Sequence, residues 1–286
     1  VTSGLAQVGG LHNANTTGTD FITGLTENTT YYVRAYATNE KGTAYGEERS
    51  FTTLPGINGY AYVDLGLPSG LKWATCNVGA TTPEEYGNYY AWGETEQKTT
   101  YTPENYKWCN MQSNILTKYV VKEIDVPVYK ERKDANGLII AEISLYDPLI
   151  PPYGTIDGKT ELEPSDDAAT AYLGNGWRTP TKAEIQELYD NCEWTLIEQN
   201  GVRGYKATSK INGKSIFLPF AGSWRTFGYG GTDKNSSMEA IYMSSSLSVN
   251  HVDASVSIYL RERNNVFIKT ASRDHGLTIR PVYDPE

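Results

Sequence analysis

Residues 174–192 read GNGWRTPTKAEIQELYDNC, and this segment constrains the fold more than any other in the chain. Thr181 stands where a helix N-cap belongs, with Glu184 three residues on, the reciprocal capping-box arrangement. Beyond it, Ile185, Leu188, Tyr189 and Cys192 recur at the spacing of one helical face, while Lys182, Gln186 and Glu187 fall on the other side. Trp177 before the turn and Trp194 after the helix can close over that apolar stripe. The segment predicts a short amphipathic helix framed by aromatics, with a core role and no chemically poised group.

Such a helix needs strands to pack on, and the composition supplies them. Aromatic residues make up 12% of the 286, with 22 tyrosines against 3 methionines, and 27 glycines provide turns. Mostly β structure with α+β character is expected. The length suits one medium domain with a smaller companion. A formal charge of −9 and a pI near 5.0 argue against a nucleic-acid partner and against binding to anionic membranes. No apolar run approaches the roughly 20 residues that span a bilayer, so the chain is not expected to cross one. A signal peptide is not evident, but a mature surface protein would have lost it, which leaves lipid anchoring through a removed N-terminus open. Cys76, Cys109 and Cys192 form no CxxC pair, and three reduced, buried thiols are expected ahead of one disulfide plus a free thiol.

Two units are expected, 1–55 and 60–286, joined by a short linker at 56–59 within LPGING. In the first, Tyr31, Val33, Ala35 and Ala37 alternate with Tyr32, Arg34, Tyr36 and Thr38, the period of a strand. A turn over residues 39–42 leads to a second strand, and Leu25 followed by Tyr31 suits a strand entering through a tyrosine corner. Residues 20–54 resemble the last strands of a fibronectin type III-like domain of the kind found in surface proteins of Bacteroidetes, departing from it at Glu27, where proline is common. An intact β-sandwich of this type has about 100 residues, so the unit is read as partial.

The second unit carries an ordered set of blocks: 71–80, 85–93, 162–194, 216–222 and 277–282. Together they resemble the Fibrobacter succinogenes major paralogous domain family, whose fold is similar to C-type lectins. The resemblance implies an α+β domain with its first and last strands paired and long irregular excursions between them. It implies no established reaction. Residues 120–150 depart from the pattern, and DANG at 134–137 separates two β-prone runs, so a hairpin insertion is expected there.

Several sites can be weighed. GWRTPTKAEI also resembles a block of the formylglycine-generating enzymes, whose chemistry needs cysteines late in the domain; none follows Cys192 here. Calcium-dependent sugar binding in lectins uses Glu-Pro-Asn or Gln-Pro-Asp together with Trp-Asn-Asp, and none of these triplets occurs. Within EPSDD, residues 163–167, Asp166 and Asp167 are read as meeting a helix N-terminus. His12, His251 and His275 lack metal-ligand spacing, so neither metal nor cofactor is expected.

The most exposed-looking candidate is GSWRTFGYGGTDKNSS, residues 222–237. Trp224, Arg225, Phe227 and Tyr229 could stack on a sugar ring or fill a partner's pocket, or fold back over the core. Arg261 and Arg263 are placed on a neighbouring loop. The functional expectation is a non-catalytic recognition or adhesion protein, secreted or at the outer cell surface, binding an unidentified glycan or protein. A structural component of a surface assembly is the alternative, and a glycan-active or formylglycine-generating-like enzyme stands behind both.

Overall fold

In the computed structural model, the described residues are 25–110, 115–121, 129–133, 139–144, 156–174, 176–227, 231–234, 238–251, 253–263 and 265–284. They form a mostly β protein of antiparallel sheets with few helices. The chain divides into two compact units, 1–57 and 58–286.

In the first unit, β1 (Thr30–Asn39) and β2 (Gly42–Thr52) pair antiparallel across a two-residue turn, followed by the short β3 (Gly56–Ile57). Tyr31 stacks on its cross-strand partner Phe51, and the register shifts between Arg34 and Tyr36. The Thr26 N–H donates to the Tyr31 hydroxyl at 2.7 Å, which pins the chain where it enters β1. The Glu27 carboxylate accepts the Gly56 N–H, and a side chain at position 56 would collide with it.

The second unit opens with β4 (Tyr60–Asp64) and β5 (Lys72–Ala74) and closes with β19 (Val282–Tyr283). Between them run β6 (Cys109–Asn110), β7 (Ile115–Leu116), β8 (Tyr129–Lys133), β9 (Ile139–Ser144), α1 (Ala168–Leu173), β10 (Trp177–Arg178) and α2 (Lys182–Asn191). Next come β11 (Cys192–Gln199), β12 (Val202–Ser209), β13 (Ser215–Pro219), β14 (Trp224–Phe227), β15 (Gly231–Lys234), β16 (Glu239–Leu247), β17 (Ala254–Arg261) and β18 (Asn265–Ser272). The last strand lies between β10 and β5, beside the second strand of the unit and not its first as expected, so Val63, Trp73 and Val282 stand in one row. β11–β12–β13 and β16–β17–β18 are two antiparallel meanders, and α2 packs on β16 and β17. β8 and β9 pair antiparallel on either side of residues 134–138, which lie outside the described residues.

The capping box forms as the spacing predicts: Thr181 Oγ1 accepts the Glu184 N–H, and the Glu184 carboxylate accepts the Thr181 N–H. Glu184 also takes both ends of the Arg178 guanidinium at 2.7 Å, a bidentate pair that fixes the turn before the helix. Ile185 and Leu188 are buried, and Trp177 is buried edge-on to Tyr60 and Tyr283. Gly176 has φ +87°, and a Cβ there would lie 2.3 Å from the Tyr283 ring, so only glycine fits.

Two arginines near the end of the chain are buried without a salt-bridged carboxylate among the described residues. Arg280 donates twice to Asn77 Oδ1, at 2.8 and 2.9 Å. Arg273 donates to the Tyr119 carbonyl at 2.6 Å and lies over the Trp92 ring. Burial lowers the pKa of both, while the carbonyl, amide and π-face partners offset part of the desolvation cost. Tyr119, at φ +60°, is further held by Asp157, whose carboxylate accepts the Tyr119 and Val120 N–H groups. None of the three cysteines forms a disulfide; Cys192 is buried, whereas Cys76 and Cys109 are only half-buried.

Candidate functional site

Trp224 begins β14 and is tied in place by reciprocal backbone bonds with Gly276, at 2.8 and 3.0 Å. A Cβ at Gly276 would lie 2.7 Å from the Tyr101 ring, so that glycine lets the ring approach. The half-buried Trp224 indole stands edge-on to Tyr89 and tilted over Tyr101, covering a second core cluster that includes Ala91, Tyr106 and Val120. Much of its surface is therefore occupied within the fold. Arg225 and Phe227 lie on β14 opposite Asp233 and Gly231; Tyr229 lies outside the described residues.

Arg261 ends β17, donating to Glu239 at 3.1 Å with its guanidinium over Phe267. The Glu239 carbonyl accepts the Gly222 N–H, so the root of the 222–237 excursion and Arg261 meet at one residue. Arg263 is exposed in the turn to β18.

The EPSDD aspartates diverge. Asp167 caps α1, accepting the Ala169 N–H and both the N–H and hydroxyl of Thr179. Asp166 turns away from the helix and is buried against Lys118 at 2.5 Å and the Tyr119 hydroxyl at 2.7 Å. Lys118 also bonds Glu163, and its ammonium stands 5.0 Å from the Trp108 ring centre. Burial opposes ionisation of Asp166, yet the Lys118 and Tyr119 bonds hold its pKa below the usual carboxylate range. Lys118 and Lys159 together bring Glu163 down to about 2.

A concave site lies at the end of α2. This helix ends without the left-handed glycine that commonly closes a C-terminus; Cys192 is extended instead. Its last carbonyls are met by side chains and by the next strand. The Trp194 indole N–H donates to the Tyr189 carbonyl at 3.2 Å, and Lys210 Nζ to that of Asp190 at 2.8 Å. The Lys210 N–H bonds the Asn191 carbonyl. A lysine at this end also suits the helix dipole. These caps hold Tyr189, Trp194, Asp190 and Lys210 around an open cleft of about 370 Å³, completed by Cys192, Tyr205 and Val266.

Trp194 is half-buried and stands edge-on to the buried Tyr205 at 6.3 Å. The Tyr205 hydroxyl bonds the Arg261 carbonyl at 2.9 Å. Burial raises the Cys192 thiol to about 11, so it is protonated at neutral pH and contributes an apolar surface. The cleft therefore combines aromatic walls, an uncharged thiol and two charged rim groups.

The 222–237 excursion and this cleft use different residues. Sequence reasoning placed Trp194 over the apolar stripe of α2, and it does pack against the main core; Lys210 and Val266 were missed, because the cleft gathers residues from three separate stretches. One signal was available: a helix lacking a C-terminal glycine needs other groups to cap it. Among the described residues no helix is long and apolar enough to cross a membrane, and no group of three or more His, Cys, Asp or Glu is placed to hold a metal. Comparison with family models, curated proteins and solved structures finds no match to this chain.

Proposed function

We propose that this is a non-catalytic recognition or adhesion protein of the outer cell surface or exterior, with a C-type-lectin-like second unit that binds a glycan or protein and a fibronectin type III-like first unit as its spacer. The observation that carries the reading is the cleft at the end of α2, where aromatic walls and hydrogen-bonding rim groups are fixed by the helix's own capping. Such a mixture suits non-covalent recognition. The lectin-like assignment is supported by the last strand lying beside β5, with long excursions between the ends of the unit. The fibronectin-like assignment is supported by the Thr26–Tyr31 bond at the entry to β1.

A glycan array combined with a pull-down from cell-surface extracts tests the reading. Retention of a specific glycan or surface protein by the full chain, lost after substitution in the second unit, is the expected result. Failure of both assays to retain anything would favour a structural role in a surface assembly.

A further inference from the structure

We propose that the cleft between the end of α2 and strands β11, β12 and β18 binds one neutral hexopyranose unit, with Trp194 and Tyr189 as walls and Asp190 and Lys210 as the rim. This rests on the reading of the second unit as a recognition module and adds the ligand class and the place.

The wall is built for stacking. The Trp194 indole N–H is committed to the Tyr189 carbonyl, and the Tyr205 hydroxyl to the Arg261 carbonyl. Tyr205 is buried behind the wall, so the aromatic surface open to a ligand is that of the half-buried Trp194 and Tyr189, and an indole fixed beforehand loses little entropy on binding. The face of an aromatic ring is electron-rich, and it attracts the faintly positive C–H face of a pyranose.

The rim selects against other occupants. The Asp190 carboxylate accepts from the Gln186 amide at 3.0 and 3.1 Å, and Lys210 Nζ donates one bond to the Asp190 carbonyl. A carboxylate has about four acceptor sites and an ammonium three donors, so both groups keep bonding capacity. Neighbouring sugar hydroxyls, each able to donate and accept, match such an acceptor and donor. An aliphatic chain would desolvate both charges without repayment. A ligand of single net charge would be drawn by one rim group and repelled by the other, whereas a neutral polyol with an apolar face suits both. The volume of about 370 Å³ lies at the small end of ligand sites, suited to one ring with its neighbours left in solvent.

The test uses the full chain and a panel of methyl glycosides of glucose, galactose, mannose and N-acetylglucosamine, read by saturation-transfer NMR and by titration. At least one should bind with a Kd of roughly 1 to 10 mM, typical of a single open subsite. Trp194→Ala should weaken it by about thirtyfold and Trp194→Phe by much less, since a smaller ring keeps part of the stack. Asp190→Asn and Lys210→Met should each weaken binding severalfold; Lys210→Met also removes a cap of α2, whereas Asp190→Asn, at an exposed position, should leave the melting temperature unchanged, which keeps the test decisive if Trp194→Ala fails to fold. Tyr172→Ser, on the exposed face of α1, should leave binding unchanged. The proposal is overturned if none of the four glycosides binds, or if binding survives both rim substitutions at full strength. Capture of a glycan or protein by the second unit that ignores Trp194, Asp190 and Lys210 would overturn the cleft but uphold recognition. Silence in the panel, the array and the pull-down alike would remove both.

Discussion

Trp224 and Trp194 are both half-buried, both meet tyrosine edges and both pack against a core cluster, yet the polar groups beside them differ. Trp224 closes a cluster in which Tyr89 bonds the Ala221 carbonyl, Tyr101 the Tyr89 carbonyl and Tyr106 the Trp92 carbonyl. Beside that cluster, the buried Asp166 accepts from Lys118 and Tyr119 through Oδ2, with Lys107 3.6 Å from Oδ1. Trp194 instead borders a cleft whose rim groups keep hydrogen-bonding capacity. An aromatic residue in a glycine-rich stretch is thus a poorer guide to a binding surface than the unspent valence of the polar groups around it.

The sharpest way to break this contrast is to disturb the closed side. Lys118→Met should cost about 2 kcal/mol, because it leaves the buried Asp166 carboxylate with only the more distant Lys107, 3.6 Å away; chemical denaturation measures it. The same pair sets an acid dependence. Asp166 and Glu163 have depressed folded-state pKa values, so their contribution is full above the usual carboxylate range and is lost as pH falls toward 2. A wild-type stability that falls between pH 5 and pH 2, with a shallower fall in Lys118→Met, is the expected profile. Equal slopes would mean the pair is not what the acid removes.

Trp224→Ala comes next. Loss of its packing on Tyr89 and Tyr101 should cost about 2 to 3 kcal/mol, below the figure for a fully buried tryptophan. A variant that melts like the wild type but loses a ligand would reverse the comparison and return the 222–237 excursion to the role of binding surface.

On the open side the effects should be smaller. Thr181→Ala removes one half of the capping box and should cost about 1 kcal/mol, with hydrogen exchange faster in the first turn of α2 than elsewhere. Trp194→Phe should change stability by less than about 1 kcal/mol, since the smaller ring retains much of the contact. Because the indole N–H caps the Tyr189 carbonyl, exchange at the end of α2 should still report the substitution. A stability loss matching that of Trp224→Ala would show that the packing of Trp194 on the core outweighs its place in the cleft.

What could be read in advance was what depends on neighbours in sequence. The α2 capping box, its buried Ile185 and Leu188, the Asp167 cap and the Tyr31–Thr38 alternation all follow from spacing within a turn or a strand. What could not be read depends on distant partners. Asp166 looks like a second helix-capping acid until Lys118 is placed beside it. The β1–β2 register shift between Arg34 and Tyr36 has no local signature. Trp224 looked exposed because nothing in its own segment reveals that Gly276 and Tyr101 meet it. The cleft needs Tyr189, Lys210 and Val266 together, and no periodicity links them.

The place of β19 beside β5 has a mechanical meaning. β4 and β19 run parallel, each antiparallel to the β5 strand between them, so the second unit is entered at the foot of one strand and left at the head of the other. Tension applied through its two ends would pull β4 and β19 in opposite senses along β5. Hydrogen bonds would then be loaded together, in shear, instead of being peeled apart one after another. Such a pull would be borne by the row that joins Val63, Trp73 and Val282.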